Sequence, residues 1–500
     1  MNQLKIGAIL SYISIFFTFA VGLIYTPILI RWLGQTDYGI YSIVLSFASY
    51  LSLMDMGIGN AIVRYIARNK EIGDKQTESD LIGQFLKFFV VISILTLVAG
   101  CIVCLKVPDI FKNSLAQADI QIVQVMILIL TVNLALSFPL NVYSAVLQAY
   151  EQFIFLKLSA IIRIVLVPLI TLASLALGGE LISMAVIITV VNLCILYIGF
   201  IYCKKKLNVK ERFKPIDKGL RKDIVVYSFL IFLTSIADKI YWQTDQILLG
   251  IFDNAEVVAV YAIAIQFVMI FMSLSVALSS LFLPKVSKLV TEPNHLPRLN
   301  ELFISISRIQ FYVLALAFSG FIIFGEEFIM FWAGTKYELA YWLVIILMIP
   351  FFFDLIQNVG LIILQAKGLN LFRTVSLIVC SILNIIISVP FIKLYGSIGT
   401  AVITAFFVAI GNVILLNVYY YRKLKLDIKR YWLTITRIAT PIIVLTAGMY
   451  LLKGVIINEW NLLILVLWIL GYILVYSLLT YIVLMDSKEK IKIKNILFKK

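Results

Sequence analysis

The chain has 500 residues, of which 62% are hydrophobic and 14% charged, whereas a soluble domain carries roughly 45–50% apolar and about 25% charged residues. That excess cannot be hidden in a water-soluble core, so a soluble enzyme is excluded. The formal charge of +15 falls in short loops between apolar runs, which marks topology determinants facing anionic lipid and argues against a nucleic-acid partner.

The N-terminus, MNQLKIGAILSYISIFFTFAVGLI, has one Lys before a long apolar stretch and no small-residue cleavage pattern. It is expected to be a retained first span rather than a removable signal. Apolar runs of about 20 residues, each long enough to cross a hydrocarbon layer of about 30 Å, predict spans near 9–30, 38–62, 81–105, 119–143, 156–177 and 180–203. A strongly basic stretch, KKKLNVKERFKPIDKGLRK, then separates a second series near 224–251, 257–284, 303–324, 339–364, 372–392 and 396–421. A last pair near 432–452 and 461–485 precedes the basic tail DSKEKIKIKNILFKK. The fold class is therefore an all-α polytopic membrane protein of about fourteen spans. Its expected organisation is a first lobe over 1–203, a linker over 204–223, a second lobe over 224–421, two further spans over 422–485 and a tail over 486–500. Loops sharing the N-terminal side, together with both termini, hold about 31 Lys and Arg against about six in the opposite loops, which predicts that both termini are cytoplasmic.

Laid over itself at an offset of about 217 residues, the chain shows an internal repeat. Leu147-Gln148-Ala149 falls on Leu364-Gln365-Ala366, Gly179 on Gly396, and Leu33-Gly34 within a residue of Leu249-Gly250. Six spans per unit is an even number, so both units enter from the same side, as in parallel-repeat transporters with a substrate site near mid-membrane.

No catalytic constellation, cofactor motif or P-loop stands out. The single histidine, His295, sits in the Pro-flanked TEPNHLPR and reads as a surface turn. Cys101 and Cys104 have metal-like spacing, but with no second pair and no nearby His they read as helix packing, and no metal site is expected. The informative residues are charges within spans, each costing roughly 2.5–3.5 kcal/mol at a helix centre and usually facing a protein or aqueous interior. On the seventh span, Thr234, Ser235, Asp238, Lys239, Tyr241, Trp242, Asp245 and Gln246 share an arc of about 160°, opposite Leu233, Ile236, Ala237, Ile240 and Ile247. Lys239, Asp238, Tyr241, Trp242, Asp245 and Gln246 are the candidate substrate face, and packing of Asp238 and Lys239 against neighbouring helices is the alternative. The first span carries a milder polar face in Ser11, Ser14, Thr18, Gly22 and Tyr25. Asp55 and Asp354 are either proton carriers or halves of ion pairs. Arg163 either lines the cavity or snorkels to the interface. Pro27, Pro139, Pro168, Pro350 and Pro441 lie within spans, where each can kink a helix.

Three segments carry a family resemblance: RWLGQTDYGIYSIVLSFASYLSLMDMGIGNAIVRYIA from Arg31, DQILLGIF from Asp245 with VYAIA following, and LQAKGLN from Leu364 running through SILNIII to YGSIGTAVIT. The chain resembles the polysaccharide transporter family, the flippases of O-antigen and capsule repeat units, within the larger group that includes MATE-type multidrug exporters. The resemblance implies two lobes around a central cavity, no enzymatic activity, and a substrate that is an oligosaccharide on a polyprenyl pyrophosphate. It also implies a bacterial cytoplasmic membrane, membrane lipids as surroundings, and polymerase and glycosyltransferase partners. Rival readings are a cation-coupled multidrug antiporter of the same fold and a membrane-embedded polysaccharide polymerase or glycosyltransferase. The departure from an ideal anion site is plain, since only Lys239 and Arg163 are deep cations beside Asp55, Asp238, Asp245 and Asp354.

Overall fold

The computed structural model describes residues 3–456, 460–487 and 489–490, and the side chains of residues 4, 5, 8, 230 and 238 lie outside the description. Described residues form helices joined by short turns. In chain order they are α1 (Gln3–Leu33), α2 (Gln35–Leu51), α3 (Ile58–Ile72), α4 (Lys75–Phe111), α5 (Gln117–Ala149), α6 (Phe153–Ala176), α7 (Leu181–Lys205) and α8 (Lys218–Phe252). There follow α9 (Ala255–Ser280), α10 (Leu283–Val290), α11 (Leu296–Trp332), α12 (Leu339–Leu355), α13 (Asn358–Ala366) and α14 (Leu371–Val408). The short α15 (Leu416–Tyr419), α16 (Ile428–Ile456) and α17 (Leu462–Leu479) complete the order.

Among the described residues, thirteen helical runs are long and apolar enough to cross a membrane. The run Leu371–Leu424 has 54 residues, about 80 Å at 1.5 Å per residue, far more than one crossing needs. It is broken at Gly396, whose φ of 57° and ψ of −138° leave the helical region; a glycine reaches that conformation without strain. One crossing on each side of Gly396 brings the count among the described residues to fourteen. Large apolar side chains face outward along these helices, among them Val90, Ile94, Val98 and Leu105 on α4. A continuous apolar stripe of this kind is stable against hydrocarbon rather than water. The chain is a multi-pass membrane protein.

The second expected span, 38–62, is in fact two helices. Between α2 and α3 lie a 3-10 turn at Ser52–Asp55 and two left-handed residues, Met56 at φ 50° and Gly57 at φ 70°. The tenth, 339–364, is likewise divided into α12 and α13. Both breaks sit beside a deep acid, Asp55 and Asp354.

The repeat reappears as turn geometry. Gln152 N–H donates to Leu147 O and Leu369 N–H to Leu364 O, both at 2.9 Å. Glu151 (φ 58°) and Gly368 (φ 68°) take the same left-handed position. Each is the helix-closing turn in which an αL residue lets the following N–H groups satisfy the last carbonyls. The likeness between Leu33-Gly34 and Leu249-Gly250 does not extend to structure: Gly34 separates α1 from α2, whereas Gly250 lies inside α8. The α4 and α11 helices, third in each series, both have 37 residues.

Contacts divide the chain into two compact units, residues 1–262 with 392–396, and residues 263–391 with 397–500. In the first, α5 packs on α4 and α7, and α1 on α6, around Phe89 stacked on Phe138 at 6.0 Å. The basic stretch after α7 is a strap rather than a loose connection. Arg212 N–H donates to Ser79 O at 2.9 Å, Arg212 pairs with Asp80 at 3.4 Å, and Glu211 accepts from Tyr143 at 2.6 Å and from Lys204. Burial alone would push the Glu211 carboxyl up, but the Lys204 ammonium and the Tyr143 hydroxyl outweigh it and hold it below its ordinary value. In the second unit, Lys453 on α16 donates to Glu327 on α11 at 2.7 Å and to Ile323 O at 2.6 Å. Arg308 on α11 pairs with Asp486 and Glu489, which fixes the start of the tail; residues 491–500 of that tail lie outside the described residues.

Candidate functional site

The polar arc of α8 meets a polar stripe on α2, both within the first unit. On α2, Ser42, Ser46, Ser49 and Tyr50 fall at helical spacing on one face. Lys239 Nζ donates to Ser49 Oγ at 2.5 Å, Ser46 Oγ donates to Gln246 Oε1 at 3.0 Å, and the hydroxyls of Tyr50 and Thr244 bond each other. The helices run antiparallel: Gln35 at the start of α2 donates to Glu256 O just past the end of α8, at 3.2 Å. Gly39 makes this approach possible, since a Cβ there would lie 1.8 Å from Ala255 O.

An ammonium deep in an apolar helix costs several kcal/mol of lost hydration unless protein groups replace the water. The Ser49 hydroxyl on α2 supplies part of that replacement. Lys239 lies about 20 Å from the end of α8 at 1.5 Å per residue, so it cannot snorkel easily past that end.

The other sequence candidates divide. Gln246 is buried and joins the α2 stripe. Tyr241 is buried and packs edge-to-face with Trp242 at 5.2 Å. Asp245 is turned towards α9, where Tyr261 Oη donates to its Oδ2 at 2.6 Å, so it ties α8 to α9. The side chain of Asp238 lies outside those described. Arg163 is exposed on α6, without an ion pair or hydrogen bond among the described residues. Asp55 lies beside the first turn of α3, where a Cβ on Gly59 would fall 3.6 Å from its Oδ2. On α1, Ser11 and Thr18 turn back to the carbonyls of Gly7 and Ser14, each at 2.9 Å, so those hydroxyls are occupied by their own helix.

In the second unit Asp354 accepts from Asn412 Nδ2 at 3.0 Å, and Gln357, Asn417 and Trp432 extend the chain of amides. Asn412 sits in a π-helical turn, Ala409–Leu415, a distortion frequent at functional positions. Arg373 is the charged neighbour of Asp354, but no contact of salt-bridge length joins them. The α2 stripe, Tyr261 and this amide chain were not singled out from the sequence. The spacing of Ser42, Ser46, Ser49 and Tyr50 carried the signal for the first; the other two required the fold.

Residues 4–290 match the family of polysaccharide biosynthesis proteins. The chain belongs to that family. The match covers more than half the sequence and includes both α2 and α8. The "Probable low-salt glycan biosynthesis flippase Agl15" of Haloferax volcanii is 28% identical over 204 residues, 40% of this chain and 42% of that protein. The chain thus matches less than half the length of this curated relative. Among solved structures, the lipid II flippase MurJ in an inward closed conformation superimposes with a TM-score of 0.73 at 17% identity, over 95% of this chain and 99% of MurJ. An inward-facing MATE-family multidrug resistance transporter of the MOP superfamily gives 0.65 at 13% identity, over 78% and 92%. These likenesses establish the fold that both groups of transporters share.

Proposed function

We propose that the chain is a flippase moving polyprenyl-pyrophosphate-linked oligosaccharides from the inner to the outer leaflet of a bacterial cytoplasmic membrane by alternating access, for cell-surface polysaccharide synthesis. The observation that carries this reading is Lys239, an ammonium deep in a spanning helix that donates to the hydroxyl of Ser49 across the α2–α8 seam. Family membership and the flippase relative support it. Carrying a sugar headgroup unaided through hydrocarbon strips many hydroxyls of water at several kcal/mol each. A polar protein surface open alternately to either side removes most of that barrier, with the lipid tail left in the bilayer. In this reading Lys239, Gln246, Tyr241, Trp242 and Arg163 face the headgroup, with Asp238 shaping the local field. Asp55 and Asp354 remain coupling or ion-pair positions.

Both termini and the strap are cytoplasmic in this reading, on the bias of Lys and Arg between loops. Glycosyltransferases would supply the substrate and a polymerase would consume it. Outward movement of an anion across an inside-negative membrane gains about 2.3 kcal/mol per charge per 100 mV, so the potential alone can drive export. The test is restoration of surface polysaccharide in a strain lacking its own flippase. Drug resistance conferred without any restored glycan would overturn the reading in favour of an antiporter.

A further inference from the structure

The first unit holds a cavity of about 610 Å³ between α4, α8 and the strap. Its walls are apolar, with Phe88, Val91 and Leu95 from α4 facing Phe229 and Phe232 from α8. Pro215 and Ile216 of the strap close one end. The strap is fixed there: Gln84 Nε2 donates to Lys214 O at 2.6 Å and Lys87 Nζ to Phe213 O at 3.4 Å. At this same end stand two cations, Lys87 and Arg221, and among the described residues no acidic side chain lines the cavity. The nearby acids are engaged elsewhere. Asp80 pairs with Arg212, and Asp217 accepts from Gly219 N–H at 2.8 Å, capping α8. Asp223 lies about 200° round the helix from Arg221.

Further along the wall, the Oγ of Ser228 is buried with no hydrogen-bond partner among the described residues, on a residue only 5% exposed. Arg221, Ser228 and Phe232 lie at i, i+7 and i+11 on α8, hence along one stripe. Passing along it, a ligand meets first a pair of cations, then an unused hydroxyl donor, then hydrocarbon. A membrane glycerophospholipid presents the complementary order of anionic phosphate, ester carbonyl and acyl chain. A polyprenyl phosphate has the first and last of these and lacks the ester.

We infer that this cavity binds one anionic glycerophospholipid, its phosphate between Lys87 and Arg221, an ester carbonyl accepting from Ser228 and an acyl chain between α4 and α8. The site is separate from the α2–α8 seam in its residues, and its occupancy can be measured without transport, so it stands or falls apart from the flippase reading. The bound lipid would brace α8 against α4 on the stripe that carries Lys239 further along the helix.

The test is native mass spectrometry of the full chain, purified in mild detergent and titrated with dioleoyl phosphatidylglycerol, dioleoyl phosphatidylcholine or undecaprenyl phosphate. Phosphatidylglycerol should be retained at least tenfold more tightly than phosphatidylcholine. Lys87→Gln with Arg221→Gln should abolish that preference, Lys87→Arg with Arg221→Lys should keep most of it, and Lys218→Gln with Lys222→Gln should leave it intact. Ser228→Ala should weaken retention of the diester lipid severalfold without affecting the ether-linked analogue. Equal retention of the two phospholipids would overturn the inference. So would equal losses from the two charge-removing pairs, which would signal diffuse surface charge, or tighter retention of undecaprenyl phosphate than of phosphatidylglycerol.

Discussion

Replacing Lys239 by Ala separates a working cation from a merely structural one, because its effects on abundance and on export have opposite signs. A lysine at a helix centre costs roughly 2.5–3.5 kcal/mol on insertion scales, and its hydrogen bond to Ser49 Oγ at 2.5 Å offsets only part of that. Lys239→Ala should therefore insert at least as well as the native chain. If the ammonium contacts the anionic headgroup, the variant loses a charge-assisted hydrogen bond worth about 1.5–3 kcal/mol. At 1.4 kcal/mol per factor of ten, export should fall roughly ten- to a hundredfold. Lys239→Arg keeps the charge with altered geometry and should retain part of the export. Ser49→Ala should have a smaller effect, since it removes the positioning hydroxyl and leaves the charge. The assay is surface glycan in a strain lacking its own flippase, normalised to membrane-inserted protein. Full export by Lys239→Ala would refute the reasoning and reduce Lys239 to a tie between α8 and α2.

Gly39→Ala should lower the melting temperature in detergent and Gly39→Leu more so, since a Cβ there meets the Ala255 backbone at 1.8 Å and overpacking costs about 1–3 kcal/mol. Gly448→Ala, with nothing within 4 Å, should not lower it. Lys453→Met should destabilise the second unit by about 3–5 kcal/mol by leaving Glu327 as a buried unpaired charge, and adding Glu327→Gln should recover most of the loss. Glu211 is held below its ordinary value of 4.5. Its clasp on Lys204 and Tyr143 is thus fully present above pH 4.5 and lost as pH falls through the lower, folded value. Hydrogen exchange at the Arg212 N–H, corrected for intrinsic rate, should show protection falling in that acidic window in the native chain and already reduced at pH 7 in Glu211→Gln. Unchanged protection in both would place the strap's hold elsewhere, at Asp80 and Gln84.

The sequence by itself determined the class of fold, an all-α multi-pass membrane protein, and the helix-closing turns that recur at the internal offset. Those features follow from local or periodic rules: a run of about 20 apolar residues is long enough to span, and 100° per residue assigns each side chain to a face. The LQA turns of the two series could be paired from sequence because a helix-closing turn is built from residues within six positions of one another. Partnership was a different matter. Asp245 and Lys239 share one arc of α8, yet Tyr261 draws the first towards α9 and Ser49 draws the second towards α2. The sequence also read 38–62 as one helix, although Met56-Gly57 breaks it, because an apolar window averages over a two-residue turn. Only the tertiary structure decided such points, since hydrogen bonds between residues 190 or more apart depend on which helices become neighbours, and hydropathy carries no record of that choice.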